Sequence, residues 1–326
     1  MLLSRKALQR ILGVLWLIDG LLQLLPQMWT MNMVNGVMKT MLDGQPGFVE
    51  PSLQFIINQT TTHLIAVNLF ISVVQILLGL GFLFLSDRWI KELVWASIVW
   101  AVVVWYGGEG MSMLLTGQAG ALTGAPGAVL LYPLLGLAVY PRKSAADART
   151  SDEGLLSRKV LRWVLTGFWF FAALLQLQAY WWQPGQISQT IGGMVGQGGL
   201  NTWLVDPVLT PLSNATANIE TPLNIVLIVV FLALGIGLAV VKEKQLPAVL
   251  IASIVVSVVI WYCSQGFGMI LTGMSTDFNS GLLLVVMALA VWPSTRLAQS
   301  ASERAPRAAT TNEEIQATDS ESTQHA

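Results

Sequence analysis

The chain has little of what soluble enzymes and metalloproteins depend on. Its one cysteine, Cys263, excludes an intrachain disulfide and a cysteine-cluster metal site. With only His63 and His325, no pair of intramembrane imidazoles is available to hold a haem. Charged residues make up 11% of the 326 positions, against roughly 25% in soluble domains. The glycine run at 192–199 has no Gly-Lys-Ser/Thr and follows no strand, so it is not a phosphate loop. No hydrolase triad, zinc helix or basic nucleic-acid footprint can be drawn, and none of those functions is expected.

Apolar residues are what the chain has in abundance. They make up 54% of it, in recurring runs of about 20, each long enough for a hydrocarbon core of about 30 Å. The expectation is an all-α polytopic membrane protein with eight transmembrane helices. They fall near 8–26, 63–85, 89–106, 126–141, 160–181, 222–241, 245–262 and 279–293. The fourth and eighth are short for a bilayer and are expected to start a little earlier. The first follows Arg5, Lys6 and Arg10 as a signal peptide would. It runs on to Leu25 without a small-residue cleavage site, however, so it reads as a retained helix. With the N-terminus inside, every one of the 17 lysines and arginines except Lys39 falls on the cytoplasmic side. The expected location is the cell (plasma or inner) membrane, multi-pass, with both termini cytoplasmic and the bilayer as partner.

The spans form two sets. Leu3-Ser4-Arg5-Lys6 recurs as Leu156-Ser157-Arg158-Lys159, 153 positions on, and Ala96-Ser97-Ile98-Val99 as Ala252-Ser253-Ile254-Val255, 156 on. Trp105-Tyr106 and Thr116-Gly117 recur as Trp261-Tyr262 and Thr272-Gly273. Ala138-Val139-Tyr140-Pro141 closes the first half as Ala290-Val291-Trp292-Pro293 closes the second. Each half has four spans and starts inside, so the repeat is parallel. The expected organisation is a four-helix repeat at 1–141, a cytoplasmic linker at 142–155, a second four-helix repeat at 156–293 and a disordered cytoplasmic tail at 294–326. An outer amphipathic segment places Val34, Val37, Met38, Met41 and Leu42 on one face. The stretches 43–62 and 196–221, rich in Gly, Pro, Asn and Thr, read as outer loops. Methionines 28, 31, 33, 38 and 41, joined by Met111 and Met113, allow a Cu(I) reading, but Met38 and Met41 fit the amphipathic stripe and Met38 becomes Ile191 in the second half.

Candidate chemistry lies where the halves differ. Asp19 interrupts the first span, at a cost of about 2.5–3.5 kcal/mol for an acid at a helix centre, and its counterpart is Ala172. It is either a packing residue or a protonatable group facing a cavity. Glu109, in Trp105-Tyr106-Gly107-Gly108-Glu109-Gly110, becomes Gln265. It is either a solvated acid at a helix end or a carboxylate that exchanges a proton with a bound group. Gln75 becomes Phe231, and Gln23 lies one turn beyond Asp19. Asn68 persists as Asn224 and is expected to be structural. His63, at the mouth of the second span, is an interfacial residue or a proton carrier. Trp105 would supply an apolar wall. Asp19 and Glu109 are thus the candidate catalytic pair, with Gln23, Gln75, His63 and Trp105 as candidate substrate-binding residues and no metal ligands. The idea requires that Asp19 and Glu109 line one cavity.

Leu12 to Leu24 (Leu-Gly-Val-Leu-Trp-Leu-Ile-Asp-Gly-Leu-Leu-Gln-Leu), Gln45-Pro46 and Val74 to Gly81 (Val-Gln-Ile-Leu-Leu-Gly-Leu-Gly) resemble the DoxX/DoxD-like membrane proteins. The resemblance covers the first two helices of each half. It implies compact four-helix modules, some associated with quinone-linked thiosulfate oxidation. The family's first helix carries a glycine and a basic residue where this chain has Gly20 and Gln23, and its second helix often carries a glutamate where this chain has Gln75. Both departures remove an ionisable group. The expected function is a DoxX-like subunit or accessory protein of a quinone-linked redox system, with no intrinsic cofactor, a quinone as ligand and a redox partner subunit. A small-solute transporter and a non-catalytic scaffold remain open.

Overall fold

The computed structural model describes residues 3–141 and 154–293. Nearly all of the expected linker and the whole tail therefore lie outside the described residues. Within them the chain forms thirteen α-helices and no β-strand. In order they are α1 (Arg5–Leu22), α2 (Met31–Met33), α3 (Glu50–Thr62), α4 (Leu64–Phe84), α5 (Ile90–Gly107) and α6 (Ala128–Val139). These are followed by α7 (Arg158–Leu175), α8 (Gln186–Gly192), α9 (Asn201–Leu204), α10 (Asp206–Thr216), α11 (Glu220–Val240), α12 (Leu246–Cys263) and α13 (Asn279–Val291).

Four of these, α4, α5, α11 and α12, are long and apolar enough to cross a membrane. The protein is a helical, membrane-embedded chain by that measure. Helices α1 and α7 are long enough, but α1 carries Arg5, Lys6, Arg10 and Asp19, and α7 carries Arg158, Lys159 and Arg162. Helices α6 and α13 have 12 and 13 residues, about 18–20 Å at 1.5 Å per residue. They do not start earlier, as the span lengths suggested. Gly124 and Gly127, at φ 94° and 122°, break the chain ahead of α6, and Asn279, at φ 60°, breaks it at the start of α13.

The outer stretches 43–62 and 196–221 are not simple loops, contrary to their composition. Helices α3 and α10 occupy them. Each begins with an acid followed by proline (Glu50-Pro51 and Asp206-Pro207). Proline tolerates the first turn and the acid suits the positive helix end, so the residues that suggested loops are helix starts. The amphipathic segment behaves as its periodicity predicts, with Val34, Met38 and Met41 buried and Asn35, Lys39 and Thr40 exposed on the other face.

Tight contacts hold the first helices together. Helix α1 lies along α4 over glycines: a Cβ on Gly79 would sit 2.5 Å from the Leu17 nitrogen, and one on Gly20 2.8 Å from the Ile76 nitrogen. Without water between helices, close backbone packing through small residues is the available source of association. Gly79→Val is therefore expected to destabilise the protein by about 1–3 kcal/mol. At Gly235 the added Cβ would meet only the Phe170 ring, at 3.0 Å, so Gly235→Ala should cost less. Thermal unfolding in detergent compares the two, and equal losses would contradict this packing account.

The same polar bonds recur at the offsets found in the sequence. Ser4 and Ser157 cap α1 and α7 by accepting from the backbone N–H groups of Ala7 and Val160. The indole of Trp16 donates to Ser97 Oγ at 3.0 Å, and that of Trp169 to Ser253 Oγ at 3.0 Å. Asn68 donates to the Gln23 carbonyl at 2.9 Å and Asn224 to the Gln176 carbonyl at 3.3 Å, the structural role expected for Asn68. Arg5 reaches the Val139 carbonyl and Arg158 the Val291 carbonyl. Helices α6 and α13 pack on each other, so one continuous core runs from Leu12 and Tyr132 to Leu284 and Trp169.

Candidate functional site

A cavity of about 550 Å³ lies between α1, α4, α5 and α6. Asp19, Gln23, Gln75 and Glu109 all line it. Helix α1 contributes Asp19 and, just past its end, Gln23; α4 contributes Gln75; the turn after α5 contributes Glu109. His63 does not reach the cavity; it is an exposed residue at the α3–α4 junction. Trp105 does not line it either. Its indole N–H is committed to the Pro126 carbonyl at 2.8 Å, and Trp261 holds the Phe278 carbonyl in the same way at 2.6 Å. The shared Trp-Tyr frame is thus a clamp on the loop that follows.

The polar atoms at the cavity are short of partners. Tyr132 donates to Asp19 Oδ2 at 2.6 Å, but Asp19 Oδ1 accepts nothing. Gln23 Oε1, Gln75 Oε1 and the Trp100 indole nitrogen are also buried without a partner. Each such group costs about 1–3 kcal/mol unless something bonds it. Four of them around one space define a receptor for a polar group that both donates and accepts.

Glu109 sits on an unusual turn. Gly110, Met111, Ser112 and Met113 all have left-handed backbone, with φ 50–59°. This turn brings the Ser112 hydroxyl to Glu109 Oε2 at 3.0 Å, while the Val129 N–H donates to Oε1 at 3.0 Å. The turn recurs at 266–269, so the backbone is architecture. What differs is the side chain. Gln265 accepts from the Gly281 N–H and donates to the Ala121 carbonyl and Ser280 Oγ, each at 3.0 Å. There the position is saturated and ties the halves together, whereas Glu109 opens on the cavity.

The polar lining is replaced in the second half. Phe231, fully buried, stands where Gln75 does, with its ring 5.5 Å from that of Trp169. Ala172, Val256 and Leu284 replace Asp19, Trp100 and Tyr132.

Three residues join the site that sequence reasoning missed: Trp100, whose buried indole N–H has no partner, Tyr132 and Asp277. Tyr132 is fully buried on α6 and is the donor to Asp19. Asp277 comes from the second half, on the turn before α13, and lines the same cavity with Thr276. Its carboxylate accepts from the Asn279 N–H at 2.6 Å and the Thr276 hydroxyl at 2.8 Å. The same comparison of halves signals all three, since Trp100 stands opposite Val256, Asp277 opposite Ala125 and Tyr132 opposite Leu284.

Burial, and then the charge of Asp277, lifts the Glu109 carboxyl from its ordinary 4.5 to about 8, against the pull of the Val129 and Ser112 hydrogen bonds. Asp277 is also raised, by burial. Between 4.5 and about 8 the folded chain holds a proton on Glu109 that the unfolded chain has released. The stability this supplies is full below the lower value and is lost as pH rises to the upper one. An infrared titration should therefore show a protonated carboxyl at neutral pH that disappears near pH 8 and is missing in Glu109→Gln. A Glu109 already ionised at neutral pH would contradict this.

No group of three or more His, Cys, Asp or Glu residues among the described residues could hold a metal ion. Met28, Met33, Met38 and Met41 pack with Val34 and Ile57 in an apolar cluster, so these thioethers serve packing.

No family model, curated protein or solved structure matches the chain.

Proposed function

We propose that the chain crosses the cell membrane eight times as two parallel four-helix repeats, N-terminus inside. On this reading the first repeat carries a binding site for a molecule of the quinone/quinol class. The role is that of a DoxX-like subunit or accessory protein in a quinone-linked redox system. The observation that carries the reading is the single cavity where Asp19, Gln23, Gln75 and Glu109 meet, with unpartnered donors and acceptors set in an apolar wall. The recurring hydrogen bonds at 153 and 156 positions support the two repeats. The lysine and arginine distribution supports the orientation.

The residues fit such a head group. Asp19 Oδ1 and the glutamine oxygens accept from hydroxyls, and the Trp100 N–H donates to an oxygen. When bound, a quinol supplies two protons and two electrons. Asp19 takes one proton; Glu109, protonated at neutral pH with a pKa of about 8, releases its own proton before it takes the second, an exchange that runs readily close to that pH. The electrons pass to an acceptor on a partner subunit.

Titrating the protein in lipid nanodiscs with a decyl-substituted benzoquinone tests the reading. Saturable quenching of tryptophan fluorescence is expected, and linear quenching with no saturation would refute quinone binding. One observation favours a second reading, a small-solute transporter: Thr276 and Asp277 bring polar groups from the second half to the same cavity. That reading predicts uptake of a water-soluble solute into vesicles.

A further inference from the structure

Resting on the proposed site but going beyond it, we infer that its ligand is a single-tailed lipid. It reaches the cavity sideways from the bilayer, and its tail lies in the opening between α4 and α5. The cavity lining runs from buried residues to surface ones: Asp19 is 2% exposed and Gln75 4%, whereas Val103 is 53% and Phe70 60% exposed. The space is thus deep and polar at the α1 side and open at the α4–α5 side.

The surroundings of that opening are apolar. The outward residues of α4 include Leu69, Phe70, Val73 and Leu77, and those of α5 include Val99 and Val103. Helix α4 has no charged residue, and α5 has none after Glu92. A mouth walled this way faces hydrocarbon. The lining toward the segments between α1 and α4 is mostly apolar: Met33, Val37, Met38 and Ile56, with Thr60 the one polar residue among them.

An aromatic pair spans the opening. Phe70 and Trp100 lie edge to face, ring centroids 5.6 Å apart. Phe70 faces outward, while the Trp100 N–H is buried and unpartnered. A head group that bonds this N–H lies just inside the pair, which leaves its tail between the helices. In the second half Val226 and Val256 stand at these positions, so the aromatic pair belongs to the half that has the cavity. Phe70, Trp100 and Val103 therefore select for a tail, as Asp19 and Gln75 select for a head.

The route can be tested without knowing the ligand. In a Cys263→Ser background, Gln75→Cys is exposed in nanodiscs to a lipid-dissolved pyrene maleimide or a water-borne sulfonated maleimide. The lipid reagent should label and the aqueous one should not. Adding Val103→Trp, at an exposed position, should slow labelling by about tenfold or more through steric blockage. Labelling by the aqueous reagent, by neither, or at an unchanged rate with Val103→Trp would overturn the lateral opening. A second arm compares decyl-benzoquinone with its tail-less parent. Val103→Trp should weaken the decyl compound by about tenfold or more and leave the parent unchanged. An equal effect on both would overturn the tail assignment. If lipid labelling behaves as expected but neither quinone binds, the opening stands and the quinone reading of the site falls.

Discussion

Gln75→Phe is expected to abolish ligand binding while leaving the protein folded. The second half has already made this substitution: Phe231 occupies the matching position, fully buried against Trp169. Trp16, the counterpart of Trp169, lines the first-half cavity, so a ring at position 75 meets a similar neighbour. The change also removes the Gln75 Oε1 atom, which has no partner, and with it a desolvation cost of about 1–3 kcal/mol. Stability should hold or rise. Binding of decyl-benzoquinone should fall by about 100-fold or more, because a ring fills space the head group needs. Unchanged affinity would mean that the ligand lies elsewhere.

Neutralising both acids should have the largest effect on turnover. Asp19→Asn with Glu109→Gln keeps the size of each side chain and removes both proton acceptors. A positioned general base contributes roughly 10²–10⁴-fold, so quinol oxidation by membranes holding the protein and its partner should fall by about 100-fold or more. The pair predicts opposite signs for function and folding. If α1 crosses the membrane as proposed, removing its acid relieves an insertion cost of about 2.5–3.5 kcal/mol, so Asp19→Asn should not lower thermal stability. The Ser112 hydroxyl and Val129 N–H each bond a Glu109 carboxylate oxygen at 3.0 Å. In Glu109→Gln the amide oxygen can still accept from the Val129 N–H while the amide nitrogen donates to the Ser112 hydroxyl oxygen, so that change too should leave the turn in place. Activity that survives the double change would leave the transporter and scaffold readings.

How much of this was legible in the sequence follows from how apolar helices encode position. The helical, membrane-embedded class was readable from the long apolar runs, four of which are α4, α5, α11 and α12. Asp19, Gln75 and Glu109 stood out because each is polar in one half and lost or replaced in the other. Their meeting in one cavity was a requirement that only coordinates could test. Tyr132 escaped because a tyrosine in an apolar helix reads as an ordinary interfacial aromatic. Asp277 escaped because a turn has no periodicity to show which way a side chain points. Trp105 misled in the other direction: it is conspicuous, but its N–H serves the Pro126 carbonyl. The prolines at the starts of α3 and α10 read as loop composition, although an acid followed by proline begins both helices.

The most direct test of the site is to map where a photoreactive, decyl-tailed azidoquinone attaches in the wild-type protein. Crosslinked peptides should cover residues 16–23, 67–75 and 100–109, which line the cavity. The matching segments of the second half, where a buried Phe231 replaces Gln75 and a hydrogen-bonded Gln265 replaces Glu109, should be unlabelled. Labelling spread equally over both halves, or confined to the second, would contradict a ligand site in the first.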